Sequence, residues 1–152
     1  AFLQRDLEIF HDIRSRSKNS IEELWLLVKN MVQILRSISP SVIYDLQKYH
    51  KAAWLEMETF RRQHVYILIR ENIERGQANG IYRKEMNVEI AARFHMALSI
   101  SIINEEIFPI KKYPKEKLVT ELISHSLHSW MTDKGRAIWE SLETPIAIES
   151  QS

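Results

Sequence analysis

The chain contains no cysteine, only three glycines and only four prolines among its 152 residues. Without cysteine it can form neither a disulfide nor a thiolate metal site, and we expect a reducing, cytoplasmic setting. Three glycines cannot build a phosphate-binding loop. Turn residues are too few for a β-sandwich, which needs a turn signal every ~8–12 residues. The sequence therefore predicts an all-α protein with long helices and few turns.

Neither sign of charge predominates in the chain. Its 21 basic and 20 acidic residues nearly cancel and form no block that could follow a phosphate backbone, so we do not expect the chain itself to bind nucleic acid. The longest apolar runs, such as residues 96–103, fall short of the ~20 residues that a membrane-spanning helix needs. No signal peptide is recognisable at the amino end, and we expect no membrane partner.

Apolar residues make up 45% of the chain, and a domain of this size buries roughly 70% of the surface that its unfolded form exposes. We therefore expect one domain with a packed core over residues 1–143, followed by a loose tail over 144–152. Phe2, Leu3 and Leu7 are already in helical register at the start, and we expect that further residues precede them.

Apolar residues recur at steps of three and four along most of the chain, which is the spacing of one face of an α-helix. The β-branched run at 65–69 and the dipeptide Asn79-Gly80 would also suit a β-hairpin. The helical pattern continues on both sides of that run, however, and we favour a helix. The predicted helices cover residues 2–16, 20–35, 40–48, 52–75, 87–107, 115–131 and 133–142.

Three local signals mark the ends of these helices. Ser20 and Glu23 match the S-x-x-E capping box, in which each side chain accepts a backbone N–H at the start of a helix. Ser39 is expected to cap the third helix, with Pro40 at its first position. Gly76 is expected to close the fourth helix in the left-handed conformation.

The predicted helix at 87–107 has almost no polar face. A helix that is apolar nearly all the way round must be covered on two sides. One side can pack on the chain's own core. We expect the other side to pack on a second copy of the chain.

Two histidines interrupt apolar helical faces, His64 in the fourth helix and His95 in the fifth. A buried imidazole needs hydrogen-bond partners for its nitrogens. Either each histidine is a core residue satisfied by its neighbours, or it is a polar contact in an apolar ligand cavity. The aromatic residues spread over helices two to five suit a core and the lining of a pocket equally well.

The sequence contains no recognisable catalytic motif. Glu105 and Glu106 are adjacent and point ~100° apart on a helix, so they do not form a catalytic carboxylate pair. Glu121, His125 and His128 share one helical face, as metal ligands do in di-iron bundles. Such bundles repeat the motif on facing helices, and this chain does not. We therefore predict no enzyme activity, no metal and no cofactor.

The segment 76–83 reads Gly-x-x-x-Gly-Ile-Tyr-Arg and joins a long helix to the apolar helix at 87–107. The last long helix ends in Met-Thr-Asp-Lys-Gly at 131–135, and a short helix opened by Ser39-Pro40 precedes Trp54. With this helix order, residues 2–142 resemble the carboxy-terminal regulatory domain of the TetR family of bacterial transcription regulators. These are patterns of residue type and spacing.

The resemblance implies an all-helical domain of six to seven helices that dimerises through its last two long helices, which form a four-helix interface. It also implies a small apolar or amphipathic effector held among the middle helices. The family's DNA-binding domain is an amino-terminal helix-turn-helix, and the chain departs from the family pattern by lacking one. Operator DNA is therefore expected to bind only through a domain absent from this chain.

The sequence thus predicts that residues 1–143 are the effector-binding and dimerisation domain of a transcriptional regulator, and more specifically of a repressor. Two other readings remain, a helical protein–protein interaction module without a small-molecule ligand and a small helical enzyme or metal carrier. The predicted ligand contacts are Tyr44, Trp54, Met57, Phe60, His64, Phe94 and His95. The predicted homodimer contacts are Met96, Ile100, Ile103, Leu122, Ser126, Leu127 and Trp130.

Overall fold

The computed structural model describes residues 2–142, which form seven α-helices and no β-strand. The predicted all-α class is confirmed. The tail predicted at 144–152 lies outside the described residues. The helices are α1 (Phe2–Arg16), α2 (Ser20–Ser37), α3 (Pro40–Tyr49), α4 (Lys51–Ala78), α5 (Val88–Ser101), α6 (Lys115–Trp130) and α7 (Asp133–Ser141).

The start of α2 differs from the predicted capping box by one residue. Asn19 is the cap, because its side chain accepts a hydrogen bond from the backbone N–H of Glu22 at 2.9 Å. Asn is as good a cap as Ser, so Ser20 becomes the first helical residue instead. The carboxylate of Glu23 is then free for a distant partner and binds Arg75 at 2.5 Å. At α3 the predicted cap, Ser39, is confirmed.

The end of α4 corrects the prediction for Gly76. The helix continues through Gly76 to Ala78, and the left-handed glycine is Gly80, with a φ of 74°. Gly76 is needed for another reason: a Cβ at this position would lie 2.0 Å from the ring of Tyr82. The absent side chain lets that ring pack directly on the helix backbone.

α5 ends at Ser101, six residues before the predicted end at Ile107. Asn104 explains the early end, because its side chain accepts the backbone N–H groups of Glu106 and Ile107. Such local bonds compete with the helical ones. Lys115 also donates to the carbonyl of Ile102 at 2.8 Å and satisfies a group that the ending helix leaves open. Apolar periodicity alone did not reveal these polar contacts.

The core lies between the first half of α2, the second half of α4, the start of α5, and α6 and α7. Asn72 is completely buried at its centre. Its amide donates to the carbonyl of Ser20 at 2.8 Å and its oxygen accepts the hydroxyl of Tyr82 at 2.9 Å, so this polar group is satisfied. Trp25 of α2 meets Trp139 of α7 edge to face, at 5.9 Å between ring centres. These contacts join α2, α4 and α7 into one packed unit.

Residues 79–83 connect α4 to the corner between α6 and α7. The backbone N–H of Arg83 donates to the carbonyl of Trp130 at 2.8 Å, and that of Thr132 donates to the carbonyl of Ile81 at 3.0 Å. The Thr132 hydroxyl also donates to the carbonyl of Gly80 at 2.7 Å. These hydrogen bonds hold the carboxyl end of α6 beside the start of α5. In the described part of the chain, no helix combines the length and the apolar character needed to cross a bilayer.

Candidate functional site

An open groove of about 490 Å³ runs between α5 and α6. Its apolar walls include Ile90, Phe94 and Leu98, which succeed one another at steps of four on α5 and are 52%, 69% and 38% exposed. Contiguous exposed apolar surface of this kind is typical of interaction sites. We call it the α5/α6 groove. It is lined by Arg83, Met86, Asn87, Ile90, Ala91, Phe94, His95, Ala97, Leu98, His125, Ser126, Ser129 and Trp130.

The floor of the α5/α6 groove carries one polar pair. His95 is 4% exposed, and its Nδ1 lies 2.8 Å from the hydroxyl of Ser126 on α6. The imidazole also packs on Trp130, with 5.6 Å between ring centres. Burial lowers the pKa of His95 to about 4, so the ring is neutral at pH 7. With Nδ1 engaged by Ser126, Nε2 is the ring nitrogen left for a group in the groove.

The rim of the α5/α6 groove is held by Arg83. Its guanidinium donates to the carbonyl of Ser129 through Nε at 3.0 Å and through Nη2 at 2.7 Å. These bonds satisfy a carbonyl at the carboxyl end of α6, where a cation is also favoured by the helix dipole. Arg83 therefore fixes the groove's end, and its charge is already compensated by the helix terminus.

A second, smaller cavity of about 180 Å³ lies between α1, α2 and α4. We call it the α1/α4 cleft. Leu7 and Phe10 of α1 and Ile67 and Leu68 of α4 provide its apolar lining. The polar lining residues are His11, Arg14, Glu23, His64 and Glu71.

Two ion pairs shape the polar end of the α1/α4 cleft. Arg14 of α1 binds Glu71 of α4 at 2.7 Å, with both side chains more than a third exposed. Glu23 of α2 is only 3% exposed and binds Arg75 of α4. Burying a carboxylate this deeply costs free energy unless it has such a partner. The first pair ties α1 to α4, and the second ties α2 to α4.

The residues predicted to contact a ligand do not line a single cavity. Phe94 and His95 lie in the α5/α6 groove, and His64 lies in the α1/α4 cleft. Phe60 packs on His64, with 4.1 Å between ring centres. The other three are Tyr44, which is exposed on α3, and Trp54 and Met57, which are half-buried on α4. Their role as ligand contacts stays a prediction.

The residues predicted for the dimer interface are mostly turned inward. Four of them, Met96, Ser126, Leu127 and Trp130, are buried within the protomer, and the other three, Ile100, Ile103 and Leu122, are half-buried. The exposed apolar stripe of α5 is instead Ile90, Phe94 and Leu98, of which only Phe94 was singled out, as a ligand contact. A helix apolar all round offers several stripes, and its sequence does not say which one faces the core. The interface itself stays a prediction.

Within residues 2–142, no three histidine, aspartate or glutamate side chains come together in an arrangement that could hold a metal ion. His128 of the trio Glu121, His125 and His128 has its Nδ1 2.7 Å from the carbonyl oxygen of Ser124, one turn earlier on α6. That nitrogen is therefore engaged by the helix backbone.

Comparisons with protein-family models, with curated proteins and with solved structures give no match for this chain. The resemblance to TetR regulatory domains therefore stays a prediction. The α5/α6 groove and the α1/α4 cleft provide the chemistry from which a function can be inferred.

Proposed function

We propose that this chain is the effector-sensing and dimerising domain of a bacterial transcription regulator of the TetR type, acting as a repressor in the cytoplasm. The observation that carries the proposal is the open apolar α5/α6 groove, with Phe94 on its wall 69% exposed. The all-helical order α1 to α7 supports it, because it agrees with the architecture that the sequence resemblance implies. In this proposal the chain is not an enzyme.

A second copy of the chain is the occupant that best suits the α5/α6 groove. In a twofold dimer the same surface meets itself, so each protomer must offer both a projection and a hollow. Phe94 is the projection, and small residues such as Ala91 and Ser126 leave the hollow. Among the lining residues of the groove, Arg83 alone has a permanent charge, and it is compensated by the end of α6. Two such faces can meet without bringing like charges together.

The coupling to DNA would pass through α1. This helix packs on α2 and is tied to α4 by Arg14 and Glu71, so a molecule in the α1/α4 cleft changes how α1 lies. A dimer binds both half-sites of its operator only when its two DNA-binding domains lie about one helical turn of DNA, ~34 Å, apart. An effector that favours another spacing, with a coupling of roughly 1–3 kcal/mol, weakens operator binding about 5- to 150-fold. Operator DNA is the partner of a helix-turn-helix ahead of α1.

The same groove also suits the alternative function, a helical interaction module. A groove between two helices with an apolar stripe can receive an amphipathic helix of another protein. In that case the isolated chain is a monomer. The two functions therefore differ in the mass of the chain in solution.

Sedimentation equilibrium at micromolar concentration tests the proposal. We expect the wild-type chain to be a dimer and Phe94→Glu to be a monomer, because a buried charge replaces the projecting ring. Leu55→Glu is the matched control: Leu55 is 64% exposed on α4, outside the α5/α6 groove, and its substitution should leave the dimer intact. A monomeric wild-type chain, or a Phe94→Glu variant that remains dimeric, contradicts this function.

A further inference from the structure

We propose that the α1/α4 cleft binds a small molecule with an apolar body and an ammonium end. The inference rests on the proposed sensing function and names the chemical class of the effector. It is carried by the size of the cleft, by its apolar lining and by two carboxylates at its polar end.

The size of the α1/α4 cleft limits the ligand. Its volume of about 180 Å³ is below the ~300–1,000 Å³ of sites for drug-sized molecules. Leu7 and Phe10 on α1 and Ile67 on α4 contribute hydrocarbon to its lining. A short alkyl chain or a single ring fits this space and gains the burial of its apolar surface.

The first carboxylate favours a cation. Glu23 is 3% exposed and lines the cleft, and its Oε2 accepts a hydrogen bond from Arg75. A carboxylate has about four acceptor positions, so the hydrogen bond from Arg75 leaves acceptor positions for a ligand. An ammonium donates up to three hydrogen bonds, and those to a carboxylate are roughly twice as strong as neutral ones. Because Glu23 is so deeply buried, water competes little with a ligand for hydrogen bonds to its carboxylate.

The second carboxylate can be reached by exchange. Glu71 is paired with Arg14 at 2.7 Å, and the two side chains are 37% and 48% exposed. Partly exposed pairs of this kind contribute little to stability. A ligand ammonium can therefore take the place of the guanidinium at Glu71 without a large loss. Because Arg14 reaches this pair from α1, the exchange releases the tie between α1 and α4.

A carboxylate ligand meets the opposite situation. It would have to take Arg14 from Glu71, and it would then lie beside that released carboxylate and beside Glu23, whose charge Arg75 already compensates. His11 and His64 add ring nitrogens to the lining. The permanently charged residues of the lining are two glutamates and one arginine, and this excess of negative charge favours a cation over an anion or a neutral alcohol.

The test compares three ligands of equal shape, hexylammonium, hexanol and hexanoate, in titrations of the whole chain followed by methyl NMR. We expect hexylammonium to bind saturably, to shift the methyl signals of Leu7 and Ile67, and to bind about tenfold or more tightly than hexanoate. Glu71→Gln should weaken hexylammonium about two- to fivefold, because an ion pair at a partly exposed carboxylate contributes only modestly. Glu23→Gln should weaken it at least as much.

Glu74→Gln is the matched control, because Glu74 lies on the same helix, pairs with Arg70 at 3.8 Å and does not line the cleft. It should leave hexylammonium binding unchanged. If Glu23→Gln does not fold, Glu71→Gln decides alone, since its carboxylate is partly exposed. The proposal is overturned if hexanoate binds as tightly as hexylammonium, if no ligand saturates, or if Glu74→Gln and Glu71→Gln weaken binding equally. Selective binding by a monomeric chain would refute the dimer but leave this inference standing.

Discussion

The two ends of α4 lie in very different surroundings. Its second half contributes Ile69 and Ile73 to the core, and Ile73 and the neighbouring Tyr82 are completely buried. Around its first half some large apolar side chains face solvent, since Tyr49 of α3 is 66% exposed and Leu55 of α4 is 64% exposed, and Trp54 and Met57 are only half-buried. The same helix therefore belongs to a packed region at one end and to an open region at the other.

This contrast in burial along α4 indicates which part of the chain provides stability and which part can adapt to a ligand. We call the enclosed part of the molecule the packed region. It contains the buried parts of α2 and α4 together with α6, α7 and the start of α5. Both candidate sites lie along its border: Ala91 and Trp130 of the α5/α6 groove belong to the core, and Leu68 of the α1/α4 cleft packs against it. Sites on a rigid border can have one fixed wall and one wall that yields to a ligand.

The largest expected effect comes from truncating one leucine in each surrounding. Leu127 is completely buried, and Leu127→Ala should lower the free energy of unfolding by about 2–5 kcal/mol, because the lost contacts leave a cavity. Leu55→Ala, in the open region, should change it by less than about 0.5 kcal/mol. Urea unfolding at equal protein concentration measures both. Similar losses for the two variants would remove the distinction between the regions.

The next effect is a pH dependence confined to the packed region. The pKa of His95 is about 4 in the folded chain and about 6.5 when unfolded. Between these values the unfolded chain binds the extra proton, so the free energy of unfolding should fall by up to about 3 kcal/mol as the pH drops from 6.5 to 4. Below that range both states are protonated and this contribution stays constant.

His95→Gln isolates this contribution, since glutamine can still bond to Ser126 but does not titrate. We expect unfolding measured from pH 7 to pH 4 to show a shallower loss in this variant than in the wild type. His50→Gln, at an exposed position between α3 and α4, should keep the wild-type slope. Equal slopes for His95→Gln and the wild type would show that the imidazole is not enclosed as described.

The smallest expected effect compares two glycines of the same connection. Gly76→Ala should destabilise the fold by about 1–3 kcal/mol, because its new Cβ collides with the ring of Tyr82 in the packed region. Gly80→Ala meets no atom within 4 Å and has only its left-handed φ of 74° to disfavour it, at a cost of about 1 kcal/mol. Thermal unfolding ranks the two. A Gly80→Ala loss above that of Gly76→Ala would contradict the packing of Tyr82.

Much of the fold could be predicted because it depends on local rules. The bounds of α1 agree with the prediction, and those of α6 differ from it by one residue. At α3, Ser39 and Pro40 act as expected, because a cap is a contact between residues that are neighbours in sequence. The early end of α5 was missed because Asn104 and Lys115 act through polar contacts that apolar spacing does not register.

The candidate sites could be predicted only in part. His95 and Phe94 were picked out because a histidine and a large aromatic residue stand in an apolar helix, and both lie in the α5/α6 groove. The α1/α4 cleft was missed except for His64. Its polar end depends on pairs such as Arg14 with Glu71, which are 57 residues apart. No spacing along the chain indicates that such residues meet.

The order of amino acids by itself determined the all-helical class, the positions of most helices and the scarcity of turns, because these depend on hydrogen bonds and caps within a few residues. Tertiary structure alone decided which stripe of α5 is exposed and which carboxylates face the α1/α4 cleft. It also decided that position 76 has no room for a side chain, because the ring of Tyr82 packs there. The physical reason is that a chain with several apolar faces can bury any of them locally at similar free energy. Only the simultaneous packing of α2, α4, α6 and α7 selects one arrangement.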